Sequence, residues 1–421
     1  MKYEEYKDSG MSWIGQVPTQ WKRSRLKFLF SHSNAGVWGE EEKGDENDIA
    51  CFRVADFDYQ KGYLGFDKLT MRNITAKELE GRLLSQGSLL IEKSGGGDAT
   101  PVGRVVRFNY EDKATCSNFV HFVTVDESHN SDFLYYYFYA MYANKENLLY
   151  FNQTTGIQNL KVGEYLGQSI FIPTYEEQQA IASYLDKKCG KINGAIDVQK
   201  KKIDLLNELK QTIITNAVTK GLNPDAPMKD SGVEWIGEIP EHWKIMRTRF
   251  LCNIQTGDKD TVNREDDGLY PFYVRSPKVE RINTYSFDGE AVLMAGDGVG
   301  AGKVFHYANG KFDYHQRVYN LHNFKDVSGL FFYYYILNKF RYIIEEGAAK
   351  NTVDSVRLNM IQDFWMTIPP VFEQQNIVKY IDGEISKIDA QISKANRRIE
   401  LLNELKQSVI TEAVTGKIKV I

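Results

Sequence analysis

A chain of 421 residues that is 42% apolar and 26% charged, with a net charge of −4, has room for two or three hydrophobic cores and does not have the composition of a disordered protein. It contains no run of eighteen apolar residues, and its opening MKYEEYKDSG is polar and acidic, which points away from a membrane span or signal peptide and towards a cytoplasmic protein. The four cysteines (Cys51, Cys116, Cys189 and Cys252) show no CxxC spacing and no paired histidines nearby, a pattern of reduced, mostly buried thiols rather than zinc ligands or disulfides.

From the N-terminus, the first distinctive stretch is Asp8 to Trp21, DSGMSWIGQVPTQW, which returns 222 positions later as DSGVEWIGEIPEHW, Asp230 to Trp243. Two indoles and a proline in a short nonhelical stretch predict an anchor that buries aromatic area along one edge of a domain; a docking surface for a partner protein is the other reading. A basic cluster follows, Lys22, Arg23, Arg25 and Lys27, echoed by Lys244, Arg247 and Arg249. Short β-type runs broken by Gly, Asp and Asn come next: CFRV from Cys51, SLLI from Ser88, RVVRF from Arg104 and FVHFV from Phe119. The second half has PFYVR from Pro271, AVLM from Ala291, KVFH from Lys303 and RVYNL from Arg317, so that Arg53 and Arg275 close or follow the same strand. A tyrosine-rich helix then appears in each half, FLYYY from Phe133 and FFYYY from Phe331, with its rings expected in the core.

Two loops could carry chemistry. SGGGDATPVGR, Ser94 to Arg104, is matched by AGDGVGAGK, Ala295 to Lys303. Neither is a Walker loop or opens a helix, so a hairpin loop is expected, with Arg104 or Lys303 reaching towards phosphate as the second reading. The other, NQTTGIQN from Asn152 to Asn159, is dense in the amides and hydroxyls that read base edges, and its counterpart is AKNTVDS, Ala349 to Ser355. A polar cap before the next strand is the bland alternative.

Each half ends in a stretch of about forty residues with heptad spacing. LLNELKQTIITNAVT from Leu205 and LLNELKQSVITEAVT from Leu401 agree at twelve of fifteen positions at an offset of 196, and Glu177-Gln178-Gln179 falls on Glu373-Gln374-Gln375. The apolar seam runs through Leu185, Ile192, Ile196, Ile203, Leu206 and Ile213 in the first copy. In the second it runs through Ile381, Ile385, Ile388, Ile392, Ile399, Leu402 and Val409, interrupted at Lys406. A helix of that length cannot bury its stripe in a small domain, so each copy is expected to pair with the other, antiparallel. The organisation predicted is 1–172 globular, 173–221 helix, 222–369 globular and 370–421 helix. The fold class expected is α+β: two α/β domains joined by two long antiparallel coiled-coil helices, a pseudo-two-fold internal repeat.

Charge is not decisive, because 19 basic against 23 acidic residues leave segment 1–172 at −4, where a self-sufficient nucleic-acid binder is usually basic. No NPPY or DPPY tetrapeptide, Walker loop, helicase motif, nuclease carboxylate cluster or histidine paired with a nucleophile occurs in the sequence.

The paired WIGQVPTQW and WIGEIPEHW, the paired EEQQAIASYLD and FEQQNIVKYID, and the paired LLNELKQ helices together resemble the specificity subunits of type I restriction-modification systems over essentially the whole chain. The resemblance implies a noncatalytic reader of double-stranded DNA, in which each globular domain is a target recognition domain for one half of an asymmetric bipartite target. The helices would fix the gap and dock two methyltransferase subunits. It further implies motor-nuclease subunits as partners, with S-adenosylmethionine, ATP and Mg2+ on those partners and no cofactor in this chain. Arg53, Arg104, Gln153, Gln158, Arg275, Lys303, Lys350 and Asn351 are the candidate DNA-facing residues. A coiled-coil adaptor that binds proteins and not DNA is the reading from another class.

Overall fold

The computed structural model of the chain describes residues 2–154, 156–348 and 355–420. It falls into two compact units, Met1–Lys200 with Asn396–Ile421, and Lys201–Ala395. Within the first, a six-stranded sheet runs in the order Phe30–Ala35, Val120–Val125, Ser88–Glu92, Val105–Arg107, Tyr63–Leu64, Phe57–Asp58. Strand alternation divides its side chains between two cores. Leu89, Ile91 and Val123 face the tyrosine-rich helix Ser131–Ala143, and Leu90, Val106 and Phe122 face Ala50 and Phe52 of a second, four-stranded sheet. The helix starts at Asn130, whose side chain accepts the Phe133 N–H at 2.8 Å, and Tyr135, Tyr136 and Tyr137 are buried as the sequence indicates.

The second unit repeats the arrangement with a six-stranded sheet in the order Asn253–Thr256, Val318–His322, Phe287–Ala295, Phe305–Tyr314, Tyr270–Tyr273, Glu280–Ile282. Val292 and Met294 face the helix Gly329–Lys339, while Ala291 and Leu293 face the opposite core. Ser328 caps that helix by accepting the Phe331 N–H at 3.3 Å.

The long helices are Tyr175–Lys220, 46 residues, and Val371–Val414, 44 residues, each about 65–70 Å at 1.5 Å per residue. Neither is apolar enough to cross a membrane. Each starts just after a proline, and each is followed by a glycine with φ of +74°, Gly221 and Gly416. Gly221 is pressed against the Trp243 ring, where a Cβ would stand 3.1 Å away, and a Cβ on Gly416 would collide with the Pro18 ring. In both places the left-handed turn and the close approach demand glycine.

Within each unit the helical segments run antiparallel. In the first unit the Glu177 end lies beside Trp21, which also packs on Gly416, and Lys406 donates to Asn193 at 3.0 Å. In the second, Gly221 lies beside Glu373, and Lys210 pairs with Asp389 at 2.8 Å. Lys406 and Lys210, like Asn193 and Asp389, are equivalent positions of the repeat, so one contact is made twice.

The seam residues Leu185, Ile192, Ile196, Leu206, Ile381 and Ile388 are buried, and Ile203, Ile385, Ile392, Ile399 and Leu402 are half-buried. Ile213 and Val409 correct the expected register: both are half-buried, and the next residues, Ile214 and Ile410, are the ones buried. Here the last turns pack into the core of the globular domain instead of along a partner helix, and the 3.6-residue turn drifts off a strict heptad. The interruption at Lys406 is also buried: its ammonium donates to the Gln60 carbonyl at 2.9 Å as well as to Asn193, although burial depresses its basicity.

Domain and helix are latched by the same bonds in each unit. The Trp21 indole N–H donates to Glu177 at 3.3 Å and Trp243 to Glu373 at 3.1 Å, with both indoles 1% exposed. Gln178 accepts the Asn130 N–H at 2.9 Å and donates to the Pro173 carbonyl at 3.0 Å. Gln374 does likewise with Ser328 at 2.8 Å and Pro369 at 2.9 Å. Tyr136 donates to Asp186 at 2.7 Å, and Tyr334 to the equivalent Asp382.

Replacing Trp21 or Trp243 by alanine is expected to cost about 3–5 kcal/mol in the unit concerned, read as an earlier step in urea unfolding; a loss under about 1 kcal/mol would show that the indole is no anchor. Burial pushes the His121 imidazole down to about 4, with Lys93 and His32 adding repulsion. An unfolded histidine takes its proton near 6.5, so the unfolded chain binds more protons below that pH, and stability falls as pH drops from about 6.5 to about 4. The His121 share is on the order of 3 kcal/mol. A pH series of urea midpoints should show a shallower acid loss in His121→Gln than in the parent chain; parallel curves would refute the assignment.

Candidate nucleic-acid interface

Arg53 and Arg275 leave equivalent strands. Ala50, Cys51 and Phe52 pair in parallel with Ala114, Thr115 and Cys116, and Phe272 and Tyr273 pair in parallel with Asp313 and Tyr314. Each arginine therefore emerges at the end of a parallel pair, where the strand gives way to a loop.

In the first unit Arg53 opens a single 3-10 turn, Val54–Asp56, closed by Asp56. Its backbone N–H and Nε donate to Asp56 Oδ2 at 2.7 and 3.3 Å, and Nη2 donates to Oδ1 at 3.0 Å. These hydrogen bonds raise the basicity of Arg53, whose side chain stays 38% exposed. The guanidinium stands at a cavity of about 450 Å³ lined by Trp38, Arg53, Glu92, Gly95, Gly96 and Phe119. Trp38 carries Arg72 stacked on its ring at 4.5 Å, and Phe119 is 48% exposed.

The remaining first-half candidates play different roles, and none of them lines that cavity itself. Arg104 donates to Glu92 through Nε at 2.8 Å and Nη2 at 3.3 Å, and lies 3.7 Å above the Tyr59 ring. Burial disfavours its charge, and the Glu92 hydrogen bonds together with the electrostatic pull of Tyr59, Glu92 and Tyr142 more than offset this. Glu92 is 1% exposed, so the pair is internal and neutralised. Gln158 is 2% exposed and accepts the Val102 N–H at 3.2 Å, which makes it a strut under the glycine loop. Gly96, at φ +62°, touches both Val102 and Gln158. Gln153 lies opposite Gln158 in the hairpin formed by Phe151–Thr154 and Ile157–Leu160, and it is exposed.

In the second unit Arg275 Nη1 donates to Asp297 Oδ1 at 2.9 Å, and Arg317 Nε approaches Asp297 Oδ2 at 3.6 Å. Asp297 belongs to the glycine-rich loop, 26% exposed, with the Arg275 and Arg317 side chains 44% and 65% exposed. Behind them His315 is 2% exposed and accepts the Arg317 N–H at 2.9 Å; burial and the neighbouring Arg275 hold its basicity down. Lys303, at the far end of the loop, is exposed and makes no ion pair among the described residues. Lys350 and Asn351 lie outside the described residues.

Asp56 in the first site, and Asp297 and Arg317 in the second, do not stand out in the sequence reading. Their only signals there are an acid three residues after Arg53, an acid inside the glycine loop, and a cation opening the RVYNL strand. The basic residues after the first tryptophan signature also stay available: Lys22, Arg23, Arg25 and Lys27 are exposed on or beside the strand Lys22–Arg25, next to Phe28 at 68% exposure.

The chain is similar to the EcoDI specificity subunit of a type I restriction enzyme from Escherichia coli, 28% identical over 182 residues, 43% of this chain and 40% of that protein. It is also similar to the MjaVIII specificity subunit from Methanocaldococcus jannaschii, 31% identical over 125 residues, 29% of this chain and 27% of that protein. These matches span well under two thirds of either relative. A chain from a solved structure described as the structural basis underlying complex assembly and conformational transition of the type I R-M system shares the fold, with a TM-score of 0.71 at 15% identity over 96% of this chain and 99% of that one. The family model for the type I restriction modification DNA specificity domain matches twice, over residues 18–211 and 240–403, and on that double match, covering most of its length, this chain belongs to the family of type I restriction modification DNA specificity domains.

Proposed function

We propose that this chain is the sequence-reading subunit of a type I restriction-modification complex, each unit recognising one half of an asymmetric bipartite duplex target. One observation carries the reading. The framework is duplicated bond for bond, Trp to Glu, Gln to the cap of the aromatic helix, Tyr to Asp, whereas the polar groups at the rims differ. Arg53 with Asp56 stands where Arg275 with Asp297 and Arg317 stands in the other half. Conserved supports under divergent rims suit two related modules that read different bases.

On this proposal Arg53, Gln153, Arg275, Arg317 and Lys303 face DNA. Arg104 and Gln158 serve by shaping the glycine loop. The acidic balance of the recognition segments leaves much of the phosphate contact to other subunits, with Lys22, Arg23, Arg25 and Lys27 as this chain's own reserve. Chemistry falls to the partners: methyltransferase subunits, two in number, supplying S-adenosylmethionine and the methylating site, and motor-nuclease subunits using ATP and Mg2+. The long helices, which continue from one unit into the other, are the proposed ruler of the gap between half-sites.

Selection of bound duplexes from a random pool, using the chain co-purified with its methyltransferase subunit, should return two unlike half-sites at one fixed gap. Affinity should fall steeply with salt. No enrichment, or salt-independent retention, would sink the proposal. Adding one heptad to each helix, after Gln199 and after Glu400, lengthens the pair by about 10 Å, up to about three base pairs at 3.4 Å each. The preferred gap should grow accordingly, and an unchanged gap would refute the ruler.

A further inference from the structure

An arginine reads guanine best when its planar fork is held in the plane of O6 and N7 before the base arrives, because a free side chain loses its rotamer freedom on binding. A carboxylate behind the guanidinium supplies that hold, provided that it is itself fixed and leaves the outer edge of the fork open. Among the described residues, Arg53 with Asp56 and Arg275 and Arg317 with Asp297 meet both conditions.

At the first, Asp56 is 11% exposed and takes three hydrogen bonds from Arg53, one from its backbone, while the guanidinium keeps its Nη1 edge turned to no partner among the described residues. At the second, Asp297 holds Arg275 and Arg317 from one side, with both arginine side chains more exposed than the acid between them. Other arginine–carboxylate pairs among the described residues differ: Asp363, which holds Arg247 and Arg249, is itself 45% exposed against 41% for each arginine. Arg104 with Glu92 is enclosed under Tyr59, and Arg397 with Glu400 is about 60% exposed on both sides, an ordinary helix-surface pair.

The two arginines occupy the same position of the internal repeat, yet their acids come from different parts of the chain. One follows by three residues; the other lies in the glycine-rich loop beyond the next two strands. The same arrangement is thus built twice from unrelated loops, which local folding alone does not require.

The geometry points to Asp56 and Asp297 as positioning residues for base preference, holding Arg53 in the first half, and Arg275 with Arg317 in the second, to read guanine edges; the inference rests on the DNA-reading role proposed above. The acids touch no base themselves. They act by orienting the forks that do.

The test is duplex selection with the full chain and its co-purifying subunits, comparing the parent with Asp56→Asn, Asp297→Asn, Arg53→Ala, Arg275→Ala and Arg317→Ala, and recording melting temperature for each. The isosteric Asp→Asn changes keep shape and remove the charge. Asp297→Asn and Arg275→Ala should relax the same guanine position of one half-site by about tenfold, with the other half-site and the melting temperature intact. Asp56→Asn and Arg53→Ala should do so in the opposite half. Several outcomes overturn the inference: an arginine change that weakens all sequences alike, as a phosphate contact would; an Asp→Asn change that leaves base preference untouched while its arginine change relaxes it; or a fall in melting temperature with preference unaltered. A parent chain that enriches no duplex would overturn the DNA-reading proposal itself, and this inference with it.

Discussion

The structure depends on a carboxylate placed in the first turn of each long helix. Glu177 and Glu373 receive the indole N–H of Trp21 and Trp243, and Tyr3 adds its hydroxyl to Glu177. A helix N-terminus favours negative charge, so the acid is stabilised from behind by the helix and in front by the indole. Burial and the adjacent acid push the Tyr3 hydroxyl well above its usual range, so it remains a donor. The bond does for two distant parts of the chain what neither could do alone: it joins the edge of a globular domain to the start of a helix 156 residues later in the first copy and 130 later in the second. Burying an indole contributes on the order of 4 kcal/mol on top of the bond.

Around that joint the remaining contacts are geometrically obliged. Once Glu177 meets Trp21, Gln178, turned about 100° further round the helix, reaches the cap of the tyrosine-rich helix, and Asp186, further along, meets Tyr136. Arg107 completes the cluster, donating to Asp132 at 2.8 Å and Asp186 at 3.1 Å while lying against Tyr63 and Tyr135. The aromatic helix is therefore tied to sheet and long helix by polar bonds at its start, through Asn130 and Asp132, and at its middle, through Tyr136. A domain held this way presents its loops from a firm base, and base reading by hydrogen bonds needs such a base.

The Lys406 site shows the same economy. An ammonium in an apolar seam is costly unless its protons are satisfied, and here a backbone carbonyl and an amide oxygen satisfy it. Gln60 ties in further, donating to Asp197 at 2.7 Å. The loop that carries Gln60 follows the Arg53–Asp56 turn by four residues, so the helix seam and the candidate base-reading arginine share one short stretch of chain. In the second unit the equivalent Lys210 meets Asp389 instead, an exposed pair with no loop drawn to it. The interruption in the heptad is thus an attachment point in one half and a surface contact in the other.

The repeat, the two long helices and their seams, the tryptophan anchors and the glycine loops are all determined by the sequence, because each is written in local periodicity or in the duplication of the chain against itself. Even the exceptions are small: Ile214 and Ile410 replace Ile213 and Val409 where the helix ends turn from one partner to another. Which of the candidate polar residues stay exposed was decided only by the tertiary structure. Arg104 and Arg53 look alike in the sequence, but strand register places Arg104 on the enclosed Glu92 and leaves Arg53 at a cavity rim. Gln153 and Gln158 face each other across a hairpin, yet Gln158 lies on the central strand of its sheet, bonded to the glycine loop and buried, whereas Gln153 lies on the edge strand and is exposed. Asp297 gathers Arg275 and Arg317 from two separate strands. Pairing of side chains across such distances follows from register and twist, which no local pattern of residues encodes.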